Sequence, residues 1–350
     1  MMLSWGSKYH SFLLLILLAA AISGCSLVDE DLRDCDYDLD YELTLVTNVS
    51  TEISTELETT LSTELELSAA LALRNYLKNI FTDYAHDVDL SFYDVVEDSL
   101  RLHHEEHIMD ANQTNYTLYI PIRQYMHTAL ANIVENPLIE VKDGDWCHRE
   151  KLHQVEGDTL TSHTTGLFTA RLPMDIQEGE DQKFNVRLYM VNAATAVVVD
   201  TVGSHIKDLN LLATGFATDF SVCDSLYYFN QAPVFQMDRL AIDEPGGYCY
   251  AAVHFPSRNP TEVKSVIDSQ DPFVTVDADS PIWQIKAYVT LPDNTVTETI
   301  LGVTKALHAG ELRIIKVKAL ENGAVQPDDP TIGVSVKLDW NTAGEYDVPL

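Results

Sequence analysis

Polar and apolar residues alternate over most of the chain, in short runs that turn residues separate. The first run, DYDLDYELTLVTNV at residues 36–49, is rich in Thr, Val and Tyr and predicts a β-strand. Similar runs lie at residues 87–95, 99–109, 115–122 and 126–134, and then at 167–174, 183–192, 195–202, 209–221, 248–256, 281–301, 311–320 and 331–340. Many short strands at this spacing predict a mainly β protein built from sandwiches.

The clearest hairpin is AYVTLPDNTVTETI, in which Pro292-Asp293-Asn294 supplies the turn. Two further strands, Leu312 to Leu320 and Ile332 to Trp340, flank a loop rich in Gly, Pro and Asp. A strand this close to the end of the sequence can lie at a sheet edge, and such an edge is a template for pairing with another chain.

One stretch has a different period. Apolar residues recur every four positions: Ile53, Leu57, Leu61, Leu65, Ala69, Leu73 and Leu77. This spacing predicts one or two amphipathic helices over about residues 51–82, starting near Ser50 or Thr51. Because a step of four does not fit a heptad, we expect this segment to pack on a sheet rather than form a coiled coil.

The N-terminal residues have the pattern of a signal peptide. An apolar run of eleven residues, Phe12 to Ile22, follows the basic Lys8 and is too short to span a bilayer. It ends at Ile22-Ser23-Gly24-Cys25, which looks like a lipobox. We therefore expect residues 1–24 to be a lipoprotein signal peptide and Cys25 to carry a diacylglyceride; the alternative is an ordinary secretory signal with a chance cysteine. Two or three acyl chains would make the membrane attachment lasting.

The remaining sequence divides into three parts. Residues 25–35 carry the acidic run Asp29, Glu30, Asp31 and predict a solvated tether. A hydrophilic stretch around residues 150–165 is the expected boundary between an N-terminal domain, 36–160, and a C-terminal domain, 161–350.

Composition narrows the function. The formal charge is −32, from 54 acidic and 22 basic residues, and this excludes nucleic acid as a partner because phosphate binding needs clustered Lys and Arg. With 46% hydrophobic residues, the chain can build two cores of ordinary size.

Four cysteines follow Cys25, and a secreted chain permits disulfides between them. They are Cys35, Cys147, Cys223 and Cys249. Of the three possible pairings, Cys35–Cys147 with Cys223–Cys249 is favoured, because each half of the chain holds two of the four cysteines. The alternative is that some of the four are buried thiols. No CxxC spacing indicates zinc.

The motifs favour a protein without catalytic activity, metal or cofactor. The HHEEH run at residues 103–107 lacks the histidine spacing of a metalloprotease, and on a strand His103 and His107 would share one face. Asp36, Asp38 and Asp40 would share a strand face, where a solvated surface is simpler than a calcium site. No GxSxG, GxxxxGK[ST] or GxGxxG occurs.

Three segments together resemble the FimB-type, fimbrillin-A-associated anchor proteins of Gram-negative fimbriae. They are CSLVDEDLRDCDYDLDYEL after the signal peptide, GLFTARLPM with VRLYMVNAATAVVVD in the middle, and AGELRIIKVKAL with IGVSVKLDWN near the end. The resemblance implies two tandem transthyretin-like β-sandwich domains, and here the predicted helices would be an insertion in the first domain.

The resemblance also implies a role. Such a protein is lipid-anchored in the outer membrane at the base of a surface fimbrium, binds fimbrial subunits by strand exchange, and ends the fibre or limits its length. Cys25 would be the lipid site, and no catalytic residue carries over. A second hypothesis is a surface lipoprotein that binds a glycan or another ligand, with Trp146, Trp283 and Trp340 as stacking residues. A secreted hydrolase is a third.

Overall fold

The computed structural model describes residues 36–45, 57, 60–81, 85, 87–96, 99–108, 115–177, 182–230, 233–258 and 282–341. The signal peptide, the tether, Cys25 and Cys35 lie outside these residues. The described strands are β1 Asp36–Leu45, β2 Asp87–Asp94, β3 Arg101–Ile108, β4 Asn115–Pro121, β5 Gln124–Ala131, β6 Ile139–Lys142, β7 Lys151–Gln154, β8 Phe168–Asp175, β9 Lys183–Met190, β10 Ala193–Asp200, β11 Asp208–Thr214, β12 Asp219–Ser221, β13 Leu226–Tyr228, β14 Val234–Gln236, β15 Asp238–Leu240, β16 Gly247–His254, β17 Trp283–Thr290, β18 Thr295–Val303, β19 Leu312–Ala319, β20 Val325–Pro327 and β21 Gly333–Asn341. The described helix, α1, is Glu64–Ile80.

The mainly β architecture with a helical segment is confirmed. Each predicted run of alternation contains at least one observed strand, and the predicted hairpin is β17–β18, in which Leu291 and Thr295 close the turn and Asn294 has a φ of 67°. The sequence missed six strands of three or four residues: β6, β7, β13, β14, β15 and β20. Segments this short contain too few positions for alternation to be recognised.

The first sandwich is formed by a seven-stranded sheet in the order β3-β2-β5-β8-β9-β1-β4. β1 is antiparallel to β4 and parallel to β9. β8 and β9 pair only at Phe168–Met190 and Thr169–Tyr189, so the ladder is short at this point. Both arms of the sheet contribute to one hydrophobic core, as in a β-sandwich.

The second sandwich consists of two five-stranded sheets, β15-β16-β10-β19-β20 and β14-β11-β17-β18-β21. A separate core lies between them and includes the buried Val197, Ile285 and Val317. A four-stranded sheet, β13-β12-β7-β6, has a third core around Leu152 and Phe220.

Helix α1 packs on a sheet, as its spacing predicts. Thr63 is the N-cap and forms a capping box with Glu66, which explains why this helix begins at Glu64. Leu73 and Leu77 are buried in the core that the seven-stranded sheet also lines. The exposed Leu67 and Leu71 lie on the other side of the helix.

The same helix also contacts the second sandwich. On β10, Ala194, Ala196 and Val198 belong to the core that α1 shares, whereas the alternate residues Val197 and Val199 face the second core. β10 is therefore buried on both faces. The small alanine side chains leave room for the helix, which joins the two sandwiches.

Polar contacts strengthen this junction. Lys316 Nζ on β19 lies 3.1 Å from the Glu66 carboxylate, and Tyr76 Oη donates at 2.7 Å to Asp238 on β15. Burial alone would raise the pKa of Glu66, but hydrogen bonds from the Ser62 and Thr63 amides, with Lys316, lower it to about 2. The carboxylate therefore remains charged.

The strand pairing differs from the expected division at residues 160 and 161. β8 and β9, at residues 168–190, belong to the seven-stranded sheet, and β10 is the first strand of a second-sandwich sheet. The change of sheet therefore falls at residues 191–192. The hydrophilic stretch that indicated a boundary contains β7, a short strand paired with β12 and β6.

The favoured disulfide pairing is wrong. Cys147 is bonded to Cys223, with 5.7 Å between the Cα atoms, and Cys249 is a buried free thiol. The pairing of β7 with β12 brings the segments that carry Cys147 and Cys223 together. Cys249 instead lies on β16 in the core beside α1, where burial raises the pKa of the thiol to about 12.

Candidate assembly interface

Strand β21 forms one border of the second sandwich. It pairs antiparallel with β18 from Gly302–Gly333 to Thr295–Asn341, with a register shift between Val296 and Glu298. Within the described residues it has a hydrogen-bonded neighbour on that side only. The strand predicted near the end of the sequence is therefore an edge strand.

This edge is longer than the others in the second sandwich. β14, β15 and β20 each have three residues, whereas β21 has nine. Proteins commonly protect sheet edges by keeping edge strands very short or charged. The two edge strands of the seven-stranded sheet are protected in other ways: β3 carries the charged HHEEH run, and β4 ends at Pro121. Among the described edge strands, β21 is the longest; it carries Lys337 and Asp339, whereas the seven-residue β4 carries no charge.

The neighbouring edge strand is tied to the same sandwich. The Val325 amide, at the start of β20, donates at 3.0 Å to Thr299 Oγ1 on β18. Thr297 Oγ1 donates at 2.9 Å to the Asn322 carbonyl, in the turn before β20. These bonds join the two sheets at this end and make β18 a fixed support for β21.

The rest of the support is a packed hairpin. Trp283 on β17 is 1% exposed, and its Nε1 donates at 2.9 Å to the Lys305 carbonyl after β18. Tyr288 Oη donates at 3.1 Å to Glu298 Oε1 across the β17–β18 pair. β21 thus pairs with a strand whose own position is set by a buried core.

A small cleft borders the start of β21, and it contains both signs of charge. Lys305, Arg313 and Lys316 line it together with Asp328. Arg313 pairs with Glu311 at 2.6 Å, and Lys316 pairs with Glu66. Because neighbouring acids balance these cations, the cleft is not a concentrated anion-binding site.

The strand directions place the start of the described chain away from the point where the chain crosses to the second sandwich. β1 runs parallel to β9 and reaches Leu45 beside Leu188, just before the chain crosses to β10. Asp36 pairs with Pro121 at the opposite end of β1. With a rise of about 3.3 Å per residue, the ten-residue β1 places Asp36 about 30 Å along the strand from the crossing point.

The aromatic residues of the glycan hypothesis do not form one surface. Trp283 is buried in the second core, and the half-exposed Trp146 contacts the Arg149 guanidinium. Trp340 lies opposite Val296 in the ladder, but its side chain is outside the described set. Of the three tryptophans, Trp146 is the one whose side chain the structure describes as partly exposed.

The buried ionisable groups have structural partners. His163 Nε2 lies 2.6 Å from Gln154 Oε1, and the His254 ring stacks on Phe216. Burial lowers the pKa of both imidazoles to about 3. They are neutral core residues at physiological pH. His254 Nε2 also lies 3.1 Å from Thr195 Oγ1, and both side chains are fully buried.

The HHEEH run lies on β3, at one border of the seven-stranded sheet. His103 pairs with Glu105 at 2.6 Å. His104 and Glu106 instead meet Asp89 of β2, and the candidate ligand atoms of these three residues all lie within 4.8 Å of one another. The sequence could not show this group, because its third member comes from a neighbouring strand.

No described helix is long and apolar enough to cross a membrane.

No protein-family model and no curated protein matches the sequence. Solved structures do match. A candidate adhesin from Bacteroides ovatus aligns with a TM-score of 0.52 at 9% identity, over 89% of this chain and 98% of that one. The likeness shows that the two proteins share a fold.

Fimbrial proteins are also among the similar structures. The fimbrial anchor protein Mfa2 from Porphyromonas gingivalis has a TM-score of 0.48 and 10% identity, over 87% of this chain and 99% of that one. The tip fimbrial protein Mfa3, with a C-terminal truncation and from the same organism, has a TM-score of 0.43 and 10% identity, over 87% and 100%. The three neighbours are adhesin and fimbrial structural proteins rather than enzymes.

Proposed function

We propose that this protein is the lipid-anchored base subunit of a surface fimbrium. Cys25 carries the lipid and holds the protein in the outer membrane at the cell surface. The second sandwich binds a fimbrial subunit, and the attached protein ends the fibre and limits its length. The observation that carries the proposal is the long edge strand β21, which belongs to the sandwich farther along the chain from the lipobox.

The strand directions support this arrangement. The tether joins the first sandwich at Asp36, about 30 Å along β1 from the crossing to β10. Cys25 and Asp36 are eleven positions apart, and a chain of that length reaches at most about 40 Å. The first sandwich would therefore stay near the bilayer, while β21 belongs to the other sandwich.

The main chain of β21 provides the chemistry of attachment. An incoming strand would bind through main-chain N–H and C=O groups along the outer side of β21, which requires no special side chains. On a nine-residue antiparallel strand about half of these groups point outward. Several hydrogen bonds, each contributing about 1 kcal/mol, would then add to side-chain packing.

Replacing the lipidation residue tests the anchor. We expect Cys25→Ala to release both the protein and its fibres into the medium, because the only thiol at the lipobox is lost. Cys249→Ala is the matched control, since it removes a buried thiol far from the signal peptide. Immunoblots of cell and medium fractions measure the result, and fibres that stay on Cys25→Ala cells would refute the proposal.

A charge on the edge tests the interface. Val334 on β21 is 47% exposed. We expect Val334→Lys to reduce the amount of fimbrial subunit bound to the anchor, because a lysine on an edge strand opposes the addition of another strand. Val202, 63% exposed in the turn after β10, provides the control Val202→Lys. Co-purification of subunits with the anchor measures binding, and equal yields from both variants would exclude β21 as the binding edge.

A further inference from the structure

A mixed histidine and carboxylate group lies on the first sandwich, away from the proposed fibre edge. His104 and Glu106 are two residues apart on β3, so they lie on the same face of the strand. Asp89 lies directly opposite Glu106 in the β2–β3 register. One histidine nitrogen and two carboxylates therefore converge from two hydrogen-bonded strands.

The distances fit a small cation. His104 Nε2 is 2.7 Å from Asp89 Oδ1, and all three ligand atoms lie within 4.8 Å of one another. Two ligands of a tetrahedral zinc ion with bonds of about 2.1 Å are about 3.4 Å apart. Metal binding would therefore replace the His104–Asp89 hydrogen bond, and side-chain rotation would have to widen that pair from 2.7 Å to about 3.4 Å.

The electrostatics favour a positive charge at this position. Two carboxylates directly opposite each other on one face of an antiparallel pair repel. Arg101 forms an ion pair with Asp145 at 3.3 Å, so it does not by itself neutralise the Asp89 and Glu106 carboxylates.

We propose that Asp89, His104 and Glu106 bind a divalent transition metal, with zinc as the best match. An imidazole with two carboxylates suits zinc, whereas calcium prefers six to eight oxygen ligands and magnesium an octahedral oxygen set. The protein supplies three ligands, and water completes the coordination. Because the metal links β2 to the border strand β3, its binding stabilises that border of the sheet.

The neighbouring residues of β3 provide a matched control. His103 is hydrogen-bonded to Glu105, and its ring lies tilted against the Phe92 ring with 5.7 Å between the centroids, so it has its own partners. His103→Gln and His104→Gln make the same chemical change at adjacent positions of one strand. Glu106→Gln removes a carboxylate charge with little change of shape.

Calorimetric titration of the mature, full-length chain with zinc chloride tests the proposal. We expect one zinc ion per chain, a loss of affinity of at least about tenfold in His104→Gln and Glu106→Gln, and unchanged affinity in His103→Gln. X-ray absorption should show nitrogen and oxygen neighbours without sulfur, which distinguishes this site from zinc bound at cysteine. Calcium and magnesium chloride should bind far more weakly.

Several results would overturn it. They are the absence of stoichiometric zinc binding, equal loss in His103→Gln and His104→Gln, or sulfur ligands in the absorption spectrum. Thermal unfolding of each variant without metal verifies that the substitution leaves the fold intact. The titration is independent of fibre attachment, so its outcome does not depend on the proposed anchor function.

Discussion

The Cys147–Cys223 bond should make a large contribution to stability. The bond joins residues 76 positions apart, and replacing both cysteines with alanine frees this segment in the unfolded chain. The loop-entropy relation gives about 15 cal/mol/K for a loop of this length, or about 4.5 kcal/mol at 25 °C. Both cysteines are buried and the bond joins segments beside the paired strands β7 and β12, so we expect most of this value to be lost.

Urea unfolding followed by tryptophan fluorescence measures the effect, since Trp146 lies next to Cys147 and reports local loss of structure. Cys249→Ala is the control, because it removes a buried sulfur without breaking a cross-link. We expect Cys147→Ala/Cys223→Ala to lower the unfolding midpoint far more than Cys249→Ala. A loss below about 1 kcal/mol, or a peptide map of the unreduced protein that links Cys223 to Cys249, would refute the reasoning.

Three further predictions concern the helix junction and the buried ionisable groups. Leu73→Ala should lower the free energy of unfolding by about 2–5 kcal/mol because Leu73 is fully buried. Leu71→Ala is the control and should change it little, since Leu71 is 54% exposed. Equal losses of the two variants in urea unfolding would contradict the packing of α1. Burial raises the pKa of Glu150 to about 7, so ionisation of this carboxyl opposes folding, and the free energy of unfolding should decline as pH rises from about 4.5 to 7. Glu150→Gln should remove this pH dependence from the urea midpoints. An unchanged pH dependence would show that Glu150 is not its cause. Burial lowers the pKa of His163 and His254 to about 3, whereas a histidine in the unfolded chain has a pKa of about 6.5. Below pH 6.5 the unfolded chain therefore binds more protons, and in the Glu150→Gln variant the free energy of unfolding should fall as pH drops from 6.5 towards 3. A flat pH profile would show that these rings are not buried.

Local periodicity determined much of the fold. Alternation along DYDLDYELTL is enough to predict β1, because successive side chains of a strand point to opposite faces. Apolar residues every four positions likewise predicted the buried face of α1, with Leu73 and Leu77 on it. The predicted start of the helical segment near Ser50 or Thr51 lies outside the described residues, and the capping box at Thr63 sets where α1 begins.

The candidate interface was predictable only in part. The sequence indicated a strand near residue 340, but its edge position depends on which strands lie beside it. Residues 312–320 and 332–340 are neighbours in the sequence, yet β19 pairs with β10 in one sheet and β21 pairs with β18 in the other. Such partners are separated by many residues, so their pairing leaves no local pattern.

The sequence by itself determined the strand-rich class and the amphipathic helix, and it predicts the lipobox and a protein that does not bind nucleic acid, because each follows from the order or composition of nearby residues. Tertiary structure decided the partners: Cys223 for Cys147, the second sandwich for α1, and Asp89 for the His104–Glu106 pair. The physical reason is that strand register and packing join residues far apart in the chain. Their proximity is a property of the folded sheets and cannot be read from either segment alone.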